Sequence, residues 1–529
     1  MNLDTFVHNL HFEPDLCRPP GKEVDWEDAP LKYKLYPGLP AFPLPYPSRR
    51  TRAGEVLRAP SPSLEGLGTL LWYGYGVSRF GQSVWEGASP GERDEGMWSI
   101  RRFVPSGGGL YPCELYAYLK LEEIPHGVYH YDAAHHRLVL LREGDFDDYV
   151  GRALGDRSPL PGFFGTLFVS VVFRKNYFKY YDFAYRLQGL DAGALLGQLL
   201  TGAERLGFAA ELRYRYLDRA VHHLIGIKEE EESVYAVLPL SAHPAPPSRE
   251  REGESRGETA TGLCRELPPL NHVTYNRCRK ELGYPELTRM NEASRMETFV
   301  PLDRMGEASD LPEGELVELP TARRASFDWE EACRHRHSPG MGFTLRRRLK
   351  ATELALLLRE ACQGFTREGD RGTEGRSHQT ERPPVDLYGC MYGVEGIPDG
   401  AYRYDTRLHV LVRIRSGDQR AELQRGMALD NVNLCQVPLV FHPSGDLRHS
   451  LSRYGYRGYR IQQMEAGILL QRLLLSASAS GMNGHPLLGY DSAQADRLYA
   501  LPGRGQTSLI QVPVGFSRPR AQLEGSLHP

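Results

Sequence analysis

The sequence predicts an α+β fold built twice in one chain, with an antiparallel-rich sheet flanked by helices in each copy. Three observations predict it. Ordered segments recur at a nearly constant spacing. Each copy passes from a helix through Tyr-rich alternating strands to a buried strand and a long helix. A polar stretch without large apolar residues separates the copies.

The repeat is explicit. Gly127-Val-Tyr-His-Tyr-Asp132 returns as Gly400-Ala-Tyr-Arg-Tyr-Asp405, 273 positions later. The segment from Lys179 to Gly193, KYYDFAYRLQGLDAG, returns from Arg453 to Gly467 as RYGYRGYRIQQMEAG, 274 positions later. A period this long is a duplicated domain and not a solenoid. The expected organisation is a first copy with an N-terminal arm over 1–240, a linker over 241–290 and a diverged second copy over 291–529. Ser241–Gly262 carries the linker composition, and Thr366–Pro384 reads as a mobile loop inside the second copy.

The elements follow in order. Leu64, Leu67, Leu70 and Leu71 have helical spacing, as do Leu354, Leu357 and Leu358. LYAYLKL and GVYHYD alternate around an Ile-Pro-His-Gly turn and read as antiparallel strands. The continuous apolar run Leu167–Phe173 reads as a buried strand. A long helix is expected from about Asp182, with Gly207 placed to end it.

Composition narrows the function. The chain has 529 residues, with 41% apolar and 25% charged, which are ordinary globular values. Its net charge of −3 argues against a partner that is a nucleic acid or a charged membrane. No run approaches the roughly 20 apolar residues of a membrane span, and the first residues lack a secretory signal. Eight scattered cysteines without a CxxC pair fit a reducing cytoplasm and exclude an obvious metal framework.

Three segments can carry chemistry. In RRFVPSGGGLYPCELY, three glycines follow Pro105 and Ser106, so the backbone can approach a ligand closely; taken alone, a flexible turn is the commoner reading. No Gly-Lys-Ser/Thr follows, so it is no P-loop, and YGYGVSRFG has no preceding strand to make a dinucleotide fingerprint. Lys179 and Tyr180, at the start of the long helix, can serve as base and acid if burial lowers the lysine; a solvated lysine and a core tyrosine are the plainer alternative. Tyr185, Arg186 and Asp191 read as packing and an intrahelical ion pair. In RHRHSPG, Arg334, Arg336 and Ser338 alternate and suit a phosphate, with a solvated basic loop as the alternative. His335 and His337 read as structural, His222 and His223 as surface residues, and the acidic, aromatic VDWEDAP as part of a surface arm.

Together these segments resemble the SagB-type dehydrogenases of the nitroreductase-like flavoprotein superfamily, the azoline oxidases of thiazole/oxazole-modified peptide biosynthesis. LGTLLWYGYGVSR, PSGGGLYPCELY, GVYHYD and Lys179-Tyr180 with YRLQGLDAG carry the resemblance in that order, and KYKLYPGLPAFPLP resembles the entry segment. The resemblance implies tandem nitroreductase-like domains that form an intrachain pseudo-dimer. It implies FMN at their interface, held by Pro105, Ser106, Gly107 and Gly108 of the first copy and by Arg334, Arg336 and Ser338 of the second. It assigns proton removal to Lys179 and Tyr180, with no metal. The implied substrate is an azoline-containing precursor peptide, oxidised to a thiazole or oxazole, with a cyclodehydratase complex as partner and molecular oxygen as electron acceptor. Further association of chains stays open.

The second copy departs from the pattern. ERPPVDLY stands where the glycine box would be, and Arg453-Tyr454 replaces Lys-Tyr; Arg cannot act as a base near neutrality. Ser48–Gly54 is a poorer phosphate clamp in the first copy. One functional site and one decayed site are therefore expected. Two other functions compete: a general FMN nitro- or quinone reductase using NAD(P)H, and a non-catalytic scaffold that docks a cyclodehydratase.

Overall fold

The computed structural model describes residues 1–47, 62–83, 97–156, 162–243, 258–300, 314–321, 328–362, 384–519 and 523–526. Ser48–Gly54, residues 244–257 of the expected linker and nearly all of Thr366–Pro384 lie outside the described residues.

Two antiparallel sheets repeat one topology. The first orders its strands Ala41–Pro43, Arg137–Glu143, Gly127–Asp132, Cys113–Leu119, Phe163–Val172, Glu232–Ser241 and Ala209–Ala210. The second orders Glu315–Glu318, Val410–Ser416, Gly400–Asp405, Val385–Met391, Leu439–Asp446, Val512–Gly515 and Asn483–Gly484, with Gln506–Ser508 also paired to Leu439–Asp446. Even the irregularities recur. A register shift falls between Val128 and Tyr129 in one copy and between Ala401 and Tyr402 in the other. Tyr131 meets His136 Nδ1 at 2.9 Å and Tyr404 meets His409 Nδ1 at 2.8 Å, and both histidines have positive φ (47° and 56°). The duplicated α+β class expected from the sequence is thus the architecture observed.

Each copy contributes one long buried helix to the middle of the molecule, Ala184–Arg205 and Arg457–Ala479. Contacts advance together along both, so the helices run parallel: Gly189 faces Gln463, Gly193 faces Met464, and Gly197 faces Ile468 and Gln471. Residues at the repeat spacing touch each other. Tyr185 and Tyr459 stack at 5.9 Å, and a Cβ on Gly467 would lie 2.8 Å from the Gly193 Cα. A pseudo-twofold axis therefore runs between the two helices. Only glycine permits this approach, because any side chain would strike the facing backbone.

Charge also crosses the interface. Asp218 of the first copy, fully buried, accepts from Arg457 at 2.7 Å and from Arg460 at 3.1 Å, both on the second central helix. Residues 258–300 fold onto the first copy, where Leu263, Leu287 and Met290 are buried. Leu523–Ser526, near the end of the chain, pairs with Val77–Ser83 of the first copy. Among the described residues no helix is long and apolar enough to cross a membrane.

Two sequence expectations need correction here. His222 is a buried strut and not a surface residue: Nδ1 lies 3.0 Å from Glu229, and Nε2 accepts from the Val234 N–H. Arg186 makes no ion pair with Asp191. It donates to the carbonyls of Leu10, His11 and Leu509, so helix spacing alone misassigned a group that tertiary carbonyls capture.

Replacing Gly467 with Ala should cost about 1–3 kcal/mol, the usual price of overpacking. The urea midpoint would fall accordingly; an unchanged midpoint would show that the helices part freely.

Candidate functional site

The glycine box closes a connection. Met97–Arg102 leads into Phe103 and Pro105, Gly107–Gly109 forms a single 3-10 turn, and Cys113–Leu119 follows in the sheet. Gly108 and Gly109 take positive φ (64° and 65°), which three successive glycines make accessible.

The box is fastened to the first central helix by one carboxylate. Ser106 Oγ–H donates to Asp191 Oδ2 at 2.5 Å, and the Gly107 N–H donates to Oδ1 at 3.0 Å. Ser106 Oγ in turn accepts the Tyr111 N–H at 2.8 Å. Asp191 is buried, and burial pushes its carboxyl up to about 7 against the opposing pull of Ser106 and Gly107. Sequence reading placed Asp191 in an intrahelical pair; the signal for its real role was a single acid set among the apolar residues of a helix. In the second copy Glu465 sits at the matching place and accepts from Tyr214 of the first copy at 3.0 Å.

Lys179 and Tyr180 do not open the long helix. They end a separate short helix, Arg174–Tyr180, and the chain then turns at Tyr181, whose φ is 49°. At the matching place in the second copy stands Gly455, with φ 56°. The backbone break is therefore shared, and in the first copy a tyrosine bears its strain. Lys175, one turn before Lys179, is buried and anchors the short helix through its ion pair with Glu114. Glu114 also meets His130 at 2.9 Å; burial works to raise its carboxyl, but Lys175 and His130 hold it down to about 2.

This anchoring holds Tyr180 against the box. A Cβ on Gly108 would lie 2.6 Å from the Tyr180 hydroxyl. Lys179 Nζ lies 5.0 Å from the Tyr180 ring centroid and 5.3 Å from that of Trp26. Burial, and secondarily Arg18, lowers the Lys179 pKa. Burial raises that of Tyr180, so the phenol keeps its proton. Lys32, which sequence reading missed, is brought down to about 8 by burial, Arg101, Arg102 and Lys179.

The expected clamp comes from the second copy and reaches the first. Arg336 Nε donates to the Phe103 carbonyl at 2.7 Å, two residues before Pro105. Arg334 donates to the Tyr73 hydroxyl and to Glu330, both at 2.8 Å. Beneath them Trp72, Tyr73, Phe103, Trp329 and Cys333 form an apolar cluster spanning both copies. The loop that carries Arg336 is also tied to the later part of the chain: the Arg518 N–H donates to the Gly342 carbonyl at 2.8 Å, and Ser517 lies 3.4 Å from His337 Nε2. The structure thus joins the box directly to Tyr180, beside whose ring Lys179 lies, and joins Arg336 to the box through Phe103. It places Ser338 on the same arm, two residues beyond Arg336.

No protein-family model matches the chain. A curated protein of Methanocaldococcus jannaschii, named as a candidate nitroreductase, is 29% identical over 99 residues; these cover 19% of this chain and 50% of that protein, so the match spans half the relative's length. A crystal structure of a candidate nitroreductase from Anabaena variabilis is 22% identical, with a TM-score of 0.73 over 98% of this chain and 99% of that chain. A chain of the Escherichia coli microcin synthetase McbBCD complex, solved with a truncated pro-MccB17 bound, shares 21% identity over 42% of this chain and 78% of its own, at a TM-score of 0.28. The full-length agreement with the Anabaena protein establishes a nitroreductase-like fold for both copies.

Because the folded Asp191 carboxyl titrates near 7 and an unfolded one near 3.9, folding takes up a proton between those values. Its contribution is present below about pH 4 and is lost as pH rises through 7. Urea midpoints of Asp191→Asn should therefore decline less between pH 4 and 7 than those of the wild type. Equal slopes would contradict the assignment.

Proposed function

We propose that the chain is an FMN-dependent oxidoreductase that converts azoline rings in a ribosomally made precursor peptide into thiazoles or oxazoles. The observation that carries this reading is the approach of Tyr180 to Gly108 beside a lysine of lowered pKa. The second copy supplies an internal contrast. Arg453 lies 5.2 Å from the Tyr454 ring centroid, much as Lys179 lies over Tyr180, so the stacking is kept where the base is lost.

The residues fit a flavin mononucleotide. A ring on the glycine turn needs a hydrogen-bonding group beside it, and the Tyr180 hydroxyl stands so close to Gly108 that any Cβ there would clash. A phosphate needs guanidinium groups, and Arg334 and Arg336 stand on the arm that crosses to Phe103. Ser106 and Gly107 spend their donors on Asp191, so their part is to set the turn that presents Pro105 and Gly108. Bound FMN would supply a two-electron acceptor, later reoxidised by molecular oxygen.

The chain's own residues manage the proton. Removing two hydrogens from an azoline releases a proton from the ring carbon, and that proton needs a base within reach. Lys179 can accept it in its neutral form, which burial and Arg18 favour. Tyr180, kept protonated, can donate a hydrogen bond to the ring heteroatom or to the peptide carbonyl and hold the ring in place. We assign residues 1–240 and 291–529 to the two halves of this composite site, with the stretch up to residue 300 packed on the first half. A cyclodehydratase that makes the azoline is the natural partner. The names of the M. jannaschii and A. variabilis proteins favour a second reading, a general reductase driven by NAD(P)H.

The test is an anaerobic single turnover of FMN-loaded protein with a thiazoline peptide. The peptide should lose two hydrogens as the flavin bleaches. Lys179→Ala should slow this by about 100-fold or more with flavin retained, as loss of a general base does, and Lys179→Arg should not restore it. Rapid bleaching by NAD(P)H with an unchanged thiazoline would instead establish the general reductase.

A further inference from the structure

The N-terminal arm is part of the site and not a surface appendage. Arg18 lies 5.6 Å from the Tyr180 ring centroid and 5.0 Å from that of Phe183. Trp26 lies over Lys179 and packs edge-on against Phe178 at 5.5 Å, yet remains 52% exposed. The Lys32 carbonyl accepts from Arg102 at 2.6 Å, which fixes this stretch of the arm beside the box. The Arg101 guanidinium abuts Gly109 from the strand that leads into the turn.

Four cations, Arg18, Lys32, Arg101 and Lys179, thus surround one glycine turn. Among the described residues none of them has a carboxylate in ion-pair contact. Two of the arm's acids nearest this stretch are engaged elsewhere, Asp25 with Lys280 and Asp28 with Arg174. Asp191 is buried behind the turn and is held by Ser106 and Gly107. Clustered cations without a counter-charge repel one another, and that repulsion adds to burial in lowering the basicity of Lys32 and Lys179. A bound anion would relieve it, and Trp26 and Tyr180 provide flat faces for a ring beside that anion.

We infer that this mouth recognises a carboxylate carried by the substrate next to its ring, as an acidic side chain or a chain terminus of the precursor peptide. The inference rests on the azoline reading for the identity of the ring, but the anion site stands on the arm's geometry. Arg18 and Lys32 are then specificity residues, while the ring itself meets Lys179 and Tyr180.

The test is a calorimetric titration of FMN-loaded protein with a thiazole carboxylate and with its uncharged carboxamide. The carboxylate should bind roughly tenfold more tightly at low ionic strength, the scale of one charge-assisted contact, and added salt should shrink the difference. Arg18→Gln and Lys32→Gln should each reduce that advantage while leaving the carboxamide affinity unchanged, which also reports that the variants are folded. Equal affinity of the two probes, or an advantage untouched by both substitutions, would overturn the inference. So would an advantage seen only in flavin-free protein, together with variants that lose their preference for FMN over riboflavin; the cations would then serve the cofactor phosphate. Neither probe is oxidised. A protein inactive toward thiazolines that keeps the charge preference would refute the oxidase and uphold the anion site.

Discussion

Everything in this molecule depends on two helices approaching until their backbones touch. Gly189, Gly193 and Gly197 on one helix and Gly467 on the other clear the space, and the helices run parallel in the register of the repeat. Two residues before Gly193 on the same helix stands Asp191, which ties down Ser106 and Gly107. The contact that joins the copies therefore also positions the helix that holds the glycine turn. Beyond the crossing, Gln471 donates to Gln198 at 2.6 Å, and Gln198 donates to the Tyr73 carbonyl at 2.7 Å. Tyr73 then receives Arg334, so the axis and the clamp belong to one packed unit.

The two copies share a scaffold and differ in its polar contents. Tyr116 donates to Glu232 in the first copy, where Lys34 also pairs with that carboxylate at 2.6 Å. In the second copy Tyr388 donates to Gln506, whose amide donates in turn to the half-buried Asp386 at 2.5 Å. Lys179 has become Arg453, and Tyr181 has become Gly455. At these places the first copy keeps a buried glutamate and a positive-φ tyrosine, where the second has glutamine and glycine. Strain and buried charge cost stability and persist where surrounding structure or function requires them.

Much of this was legible in the sequence, because duplication leaves ordered matches and because alternation and helical spacing mark strands and helices. The Tyr-rich strands, the buried strand near Leu167 and the long helix ending before Gly207 were all readable from periodicity. What could not be read was tertiary. Asp191 reads as an intrahelical ion-pair residue because Arg186 precedes it on the same helix, yet the glycine turn captures it. Lys179 and Tyr180 were placed at the start of a helix because nothing local marks the turn at Tyr181, a residue that rarely takes positive φ. Arg18, Trp26 and Lys32 lie some 150 residues from Lys179 in the chain, and only folding brings the arm onto the site.

One composite site, with the glycine turn and lysine from the first copy and the arginine arm from the second, is the central claim. It is tested most directly by releasing and quantifying the flavin carried by the purified chain. A single working site predicts near one FMN per chain, bound noncovalently and lost on removal of Arg334 and Arg336 together. Near two FMN per chain would contradict the claim, because the second copy would then hold a cofactor without a glycine box.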